Sequence, residues 1–534
     1  MFEIRITGNG WDSWLRKRTI LIITLLLTLT SIVSFEVYYI NGLGLAYNDA
    51  RSHLDIGRRV VENLKPGLAQ LGSVWLPLPH ILMIPTIWND FMWHSGLSGA
   101  LPSMISFVFT GVIIYLFLVE IGASWWGRIV GVLVYATNLN MLYLQSTAMT
   151  ESLLLATMMA GSYELLLWIK KSQLINLILA SFFIMLATLI RYDGWFLLLY
   201  GVGVIVFNKL RMKKHKIKTM EGTLVIFLTL AGVGIAAWFL WNAVIFKDAV
   251  YFLFGPYSAY AQQKLLDGAG NLATKGNIGL SIKYYFFALF YNTNTIFTVL
   301  GSVGAILIWL NKRIGWGVKI AVSVLFSPLL FNIIALYQGH SVLYIQGLSG
   351  NTWFNVRYGI MMVPSFAILT GYLIHRASKL RHTLVGLIIL VLFFSWYSGD
   401  SVTVDDAREG ASQKNVTEVS GWLKENSGKE SGYIMISAAS HDAIIFSSGL
   451  PMSRFIHEGT GDYWDTAVAN PSHLARWIIM RTHDMTDLTF REIHNNSEFA
   501  NYNLVGKYPF ADIYELKSEY LGQLKTSPVV ARSN

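Results

Sequence analysis

Cysteine is absent from all 534 residues, which rules out disulfides, thiolate nucleophiles and thiolate-bound metals. Charge is scarce as well: Asp, Glu, Lys and Arg supply 14% of the chain against 54% apolar residues, and mean hydropathy is +0.46. Soluble domains carry about 25% charged residues, so the composition excludes an ordinary soluble protein and selects a chain solvated largely by lipid. No repeat of solenoid length, about 20–50 residues, recurs, and no segment is of low complexity. A Gly-rich phosphate loop is lacking too, which weighs against a nucleotide-binding site. Proline is sparse, but Pro66, Pro77, Pro79 and Pro85 fall close together, so no regular spanning helix covers that stretch.

What is present is a succession of apolar stretches at 19–40, 99–120, 126–143, 151–169, 173–190, 194–210, 221–246, 284–310, 317–337, 358–374 and 383–398. Most approach the ~20 residues a helix needs to cross the hydrocarbon, which predicts about eleven transmembrane helices. The first follows Arg16, Lys17 and Arg18 and is longer than a signal-peptide core, so it reads as an uncleaved span. With the N-terminus and Arg5 placed inside, the inner connections hold Arg128; Lys170 and Lys171; Lys209, Arg211, Lys213, Lys214, Lys216 and Lys218; Lys312, Arg313 and Lys319; and Arg376, Lys379 and Arg381. Every inner connection is basic, as the positive-inside rule requires. The formal charge of +9 therefore faces anionic lipid headgroups and is not a nucleic-acid site.

An odd number of spans leaves residues 399–534 outside. Apolar runs shorten there, and SGYIMISAAS, HDAIIFSSGLP, RWIIMRTH and NYNLVGKYPFADIYEL read as strand, helix, strand and a closing pair of strands. The expected architecture is an all-α polytopic membrane domain over 1–398 followed by an extracytoplasmic α/β domain over 399–534. Within the latter, FIHEGTGDYWDTA carries His457, Glu458, Asp462 and Asp465 but no His-x-x-x-His pair, and reads as surface polarity, not a metal site.

The unusual polar residues gather on the outer side. The first loop opens on YNDARSHLDIGRR. Leu54, Ile56, Val60, Val61 and Leu64 share one helical side, and Arg51, Asp55, Arg58, Arg59 and Glu62 the other, which predicts a short amphipathic helix in the membrane interface. Asp49 at its head is a site candidate by depth and by its arginine neighbours; after Asn48 it also suits a helix N-terminus. His53 lies in the same loop. Glu151 stands at the mouth of the helix that follows LQSTAMTES, and capping accounts for it equally well. Arg191 and Asp193 flank the tight turn RYDGW, where an ion pair could simply staple the turn. The fourth loop interleaves Tyr251, Phe252, Phe254, Tyr257 and Tyr260 with Lys247, Gln262, Gln263 and Lys264, a pattern an interfacial aromatic belt also gives. The fifth brings His340, Asn355, Arg357 and Tyr358 up to an apolar span. Together they describe an outward-facing polar cavity with carboxylates, guanidiniums and an aromatic wall. Asp49, Asp55, Glu151 and His340 are also of the type that gathers around a divalent ion, and their spacing neither supports nor forbids one.

That set suits a sugar carried on a lipid phosphate. Guanidiniums bind the phosphate and stabilise it as it leaves, and a carboxylate accepts the proton of an attacking hydroxyl. The loop YNDARSHLDIGRR with GSVWLPLPH, AMTES, RYDGW and NVRYGIMMVP resembles the polytopic glycosyltransferases of the GT-C class over roughly residues 15–395. It is most similar to their branch of protein O-mannosyltransferases and lipid A aminoarabinose transferases. The resemblance implies Asp49 as catalytic base and Glu151 as the second outer-loop acid, with Arg191 and Arg357 near the donor phosphate. Arg51, His53, Asp55, Arg58, Asp193, Tyr257, Gln262, His340 and Tyr358 then fall among substrate-binding positions. It further implies a polyprenyl-phosphate sugar as donor and transfer with inversion to a hydroxyl on a protein or glycan acceptor. One departure stands out: the family often has two adjacent acids here, whereas Asn48 and Ala50 flank a single Asp49, with Asp55 in reserve. Residues 399–534 do not match the β-trefoil of eukaryotic mannosyltransferases. The competing class is a transporter or flippase of an anionic or lipid-linked substrate, but transporters keep ionisable residues near the midplane and often show inverted repeats.

Overall fold

The computed structural model describes residues 10–211, 218–256, 258–410 and 415–528. Arg5, Lys213, Lys214, Lys216 and Tyr257 lie outside them. Among the described residues, eight helices are long and apolar enough to cross a membrane: Arg18–Ile40, Leu97–Glu120, Glu151–Lys171, Asp193–Arg211, Met220–Phe246, Trp316–Gln338, Val356–Arg376 and Ser378–Glu409. The protein is a multi-pass membrane protein with a small appended sheet.

Three of the expected spans depart from a straight crossing. The stretch 284–310 is two helices, Ile278–Thr293 and Thr295–Leu310, bent by 107° and making a ninth span if counted together. Asn294 makes the corner at φ +68°, and its side chain accepts from the amide of Ile296 to start the second helix. The stretch 126–143 breaks into Trp125–Ala136 and Leu139–Leu144, with Asn138 accepting from the amide of Met141 at the new start. The stretch 173–190 is the 15-residue helix Leu174–Thr188. Glycines set the tightest crossings. A Cβ on Gly127 or Gly304 would collide with the carbonyl oxygen of Gly371 or Leu369, so backbones there meet with nothing between them, as in membrane helix pairs generally.

The chain falls into two compact units. One comprises Met1–Ala46, Ser73–Pro79 and Ala100–Ala411; the other comprises Tyr47–Gly72, His80–Gly99 and Ser412–Asn534. In the second unit a five-stranded sheet has the order β2-β1-β3-β5-β4, with β1 Tyr433–Met435, β2 Phe455–Ile456, β3 Ala475–Met480, β4 Tyr502–Lys507 and β5 Asp512–Leu516. β1 runs parallel to β2 and β3, while β5 runs antiparallel to β3 and β4. The central β3 is a continuous apolar run whose Ile478, Ile479 and Met480 are fully buried, as a strand covered on both faces requires.

His457 and Glu458, expected at the surface, serve the interior of this unit. His457 is fully buried, its Nδ1 accepting from the amide of Gly459 and its Nε2 3.3 Å from Asn63 Nδ2. Burial, reinforced by nearby Arg59, holds its pKa well below the ordinary imidazole value. Both carboxylate oxygens of Glu458 accept amides, of Ala438 at 2.9 Å and Ala439 at 2.7 Å, at the opening of helix Ala438–Ser448. First-loop residues are tied into the same unit by Lys65–Asp462 at 2.6 Å, by Gln70 donating to the carbonyl of Gly459, and by a short hydrogen bond from Ser52 to Asp442.

Candidate functional site

Five of the expected residues converge in the first unit, and each is delivered by the end of a helix. Glu151 opens Glu151–Lys171, and Asp193 opens Asp193–Arg211. Arg191 lies in the turn before it, and Arg357 and Tyr358 stand in the 3-10 turn Val356–Met362. The RYDGW turn can be this short because Gly194 lies against the backbone of Ala187 and Thr188, where a Cβ would collide, while Trp195 donates to the carbonyl of Thr188. The NVRYG turn starts on Asn355 at φ +57°, and Asn292 holds it by donating to the carbonyl of Val356.

Glu151 is fully buried, and its Oε1 lies 3.2 Å from both Arg191 Nη1 and Arg357 Nε. Arg191 Nη1 also donates to Thr150 Oγ1 at 3.2 Å, and its Nε lies 3.4 Å from Asp193 Oδ2. Arg357 Nη1 stands 3.9 Å from Asp406 Oδ2. Both guanidiniums approach the ring of Tyr358, at 5.4 and 5.6 Å from its centroid. Burial by itself would lower the pKa of Arg191, but Glu151 and Asp193 outweigh it and the net shift is upward, so the charge is fixed. Arg191 is 22% exposed, and its Nη2 has no hydrogen-bond partner among the described residues. Three carboxylates against two guanidiniums would give the group a formal charge of −1. Its capacity to hold an anion thus rests on directed N–H groups and not on excess positive charge. Asp406 and Thr150 were not expected here; Asp406 follows the last apolar stretch in VDDAREG, which reads as part of the outer domain.

The first-loop candidates lie in the second unit. Asp49 is half-buried in the first turn of helix Asn48–Val61, and Arg51 follows it. His53 Nδ1 meets His80 Nε2 at 2.9 Å, both rings buried. Arg58 is a structural clamp: it donates to the carbonyls of Ile87 and Trp88, pairs with Glu62 and Asp90, and lies over Trp93 at 4.6 Å. Asp55 is buried and accepts from Trp93 Nε1 at 3.1 Å. His80, Trp93 and Asp442 could not have been named as these partners without the tertiary structure.

Burial and then the charge of Asp442 push the Asp55 carboxyl well above its usual pKa, against the lowering pull of Arg59, Trp93 and Arg51. A folded pKa above the unfolded one favours the native state only in acid, and that contribution is lost as pH rises through the folded value. Asp55→Asn keeps the acceptor for Trp93 and removes the charge. We expect its thermal midpoint to exceed that of wild type at pH 7.5 and the two to converge towards pH 4. An unchanged or lower midpoint at pH 7.5 contradicts the assignment.

Of the remaining candidates, Gln262 is exposed on helix Ala259–Gly268, and His340 Nδ1 lies 3.2 Å from Gln263 Oε1. No group of three or more His, Asp or Glu side chains among the described residues is arranged to hold a metal.

No family model matches the sequence, and no curated protein matches it. Solved structures do match. ArnT from Cupriavidus metallidurans bound to undecaprenyl phosphate superposes with a TM-score of 0.57 at 9% identity, over 93% of this chain and 98% of that one. The same protein in the apo state gives 0.53 at 10% identity, over 92% and 98%. The chain has a GT-C fold. The Archaeoglobus fulgidus oligosaccharyltransferase, in complex with Zn and sulfate, superposes on this GT-C chain with a TM-score of 0.51 at 12% identity, over 86% of this chain and 67% of that one. Both neighbours are GT-C glycosyltransferases, and the expected fold class of the membrane part is thereby established.

Proposed function

We propose that this GT-C protein transfers a sugar from a polyprenyl-phosphate donor to a hydroxyl acceptor on the extracytoplasmic face of the membrane, with inversion. The observation that carries the reading is the Arg191–Glu151–Arg357 group at helix ends of a GT-C fold, with Arg191 Nη2 still unpaired among the described residues. In this reading Arg191 and Arg357 present N–H groups to the donor phosphate, and Glu151 with Asp193 fixes their direction. The acceptor oxygen gives its proton to Asp49 and forms the new bond to the anomeric carbon. The bond from that carbon to the phosphate oxygen breaks on the opposite face, and the electron pair leaves with the polyprenyl phosphate. The undecaprenyl phosphate in the ArnT structure supports a donor of this class. A protein or glycan serves as acceptor, and residues 399–534 take part in its recognition.

Release of polyprenyl phosphate separates this reading from transport. Purified protein in lipid nanodiscs, given a radiolabelled polyprenyl-phosphate hexose and a membrane extract as acceptor source, should release lipid phosphate and move label into an acceptor. Label that crosses a vesicle membrane still bound to its lipid, with no release, would mean a flippase.

A further inference from the structure

We propose that the cavity between residues 270–274 and 342–349 of the first unit binds one pyranose ring of the acceptor. It is a cleft of about 140 Å³, partly open to solvent, lined by Asn271, Thr274, Tyr284, Leu343, Tyr344 and Ser349 among others. A space of this order takes one ring-sized ligand. The lining contains no carboxylate, ammonium or guanidinium, so the ligand it selects is neutral. Aromatic faces and apolar carbons beside amide and hydroxyl groups are what a pyranose asks for, with C–H groups on its faces and hydroxyls on its edge.

Tyr284 supplies the pointed observation. It is 8% exposed, and its hydroxyl has no hydrogen-bond partner among the described residues, although it lines the cavity. With no partner among the described residues and within reach of solvent in the cavity, that hydroxyl is available to a ligand. The walls are fixed before any ligand arrives. Tyr344 donates its hydroxyl to the carbonyl of Asn271 at 3.1 Å and exchanges backbone bonds with Phe354. Ser349 Oγ accepts from the amide of Ile345 at 2.8 Å, which leaves its O–H to donate. The amide of Gly276 reaches the carbonyl of Tyr337 at 2.8 Å, and Gln263 bonds to the carbonyl of His340, closing the base of both loops. Preorganised walls lower the ordering cost of binding a small ligand.

That the ring belongs to an acceptor rests on the transferase reading; occupancy of the cavity by a pyranoside does not. The test uses the full-length protein in nanodiscs and saturation-transfer NMR with three probes: methyl mannopyranoside, methyl glucopyranoside and methyl N-acetylglucosaminide. A serine- and threonine-containing peptide serves as the fourth. We expect at least one pyranoside to bind, about fivefold more weakly to Tyr284→Phe, which loses one hydrogen bond and keeps the ring. Tyr344→Ala should weaken it further. Thermal midpoints confirm that both variants fold, and the conservative Tyr284→Phe decides if Tyr344→Ala does not. The proposal is overturned if no pyranoside binds, if only the peptide does, or if Tyr284→Phe leaves pyranoside binding unchanged. Pyranoside binding with no release of polyprenyl phosphate overturns the transferase reading alone; release without pyranoside binding overturns the cavity alone.

Discussion

Exchanging Arg191 for lysine is expected to leave the protein folded and to lower the rate of sugar transfer by about 10²–10³-fold, the loss seen when one donor is removed from an oxyanion-stabilising set. Arginine meets three neighbours from one planar fork: Nη1 serves Glu151 and Thr150, and Nε faces Asp193. Nη2 remains for a ligand. A lysine ammonium can pair with Glu151 or Asp193, but its three donors diverge from one point and none keeps a fixed direction towards a phosphate. Arg191→Met removes the charge altogether. Glu151 then still has Arg357 at 3.2 Å, but Asp193, 6% exposed, loses its cation. Unpairing a buried carboxylate costs about 3–5 kcal/mol, and the presence of the second arginine puts the expected value near the lower end. The measurement is a paired one: thermal midpoint in detergent, and release of polyprenyl phosphate in nanodiscs. A lysine variant that transfers sugar within severalfold of wild type would remove Arg191 from the donor site and leave it as a staple for its turn.

The membrane architecture was legible because it is written in composition and local pattern. Apolar runs of spanning length mark most of the helices, and the strand and helix stretches of the terminal domain were readable from short periodic segments bounded by Gly and Pro. β2, two residues long, was not, since Phe455-Ile456 alone carries no period. Sequence hydropathy also passes over Asn294, because a single polar residue hardly dents an apolar window. Yet that residue adopts φ +68° and turns the chain by 107°. Glu151, Arg191, Asp193, Arg357 and Tyr358 were expected only as members of a larger outer-side set, each at the end of an apolar run, and these five lie together in the first unit. Asp406 escaped notice because VDDAREG lies past the last apolar stretch and reads as part of the outer domain. Local pattern is equally silent on the second unit, where Ser52 meets Asp442 and Asn63 meets His457 across nearly 400 residues. His457 illustrates the cost of local reading: a His-Glu pair in a polar, Gly-rich stretch looks solvated, and only the tertiary structure closes over it.

Asp49→Asn should abolish transfer while hardly moving the thermal midpoint, and the separation between those two readouts is what identifies a base. The amide matches the carboxylate in size and still accepts hydrogen bonds, but it cannot take up the proton of an attacking hydroxyl. General-base catalysis contributes typically about 10²–10⁴-fold, so residual transfer should sit at or below a hundredth of wild type. The structural loss is small by comparison. Asp49 stands half-buried in the first turn of helix Asn48–Val61, where a negative charge favours the helix by roughly 0.3–1 kcal/mol. Asp55, six residues on in the same helix, provides the internal contrast. It is buried against Trp93, so Asp55→Asn should gain stability at neutral pH and keep transfer. The two isosteric changes are therefore expected to move activity and stability in opposite patterns within one helix. If Asp55→Asn is the inactive variant and Asp49→Asn transfers normally, the proton acceptor is Asp55 and the role of Asp49 is structural.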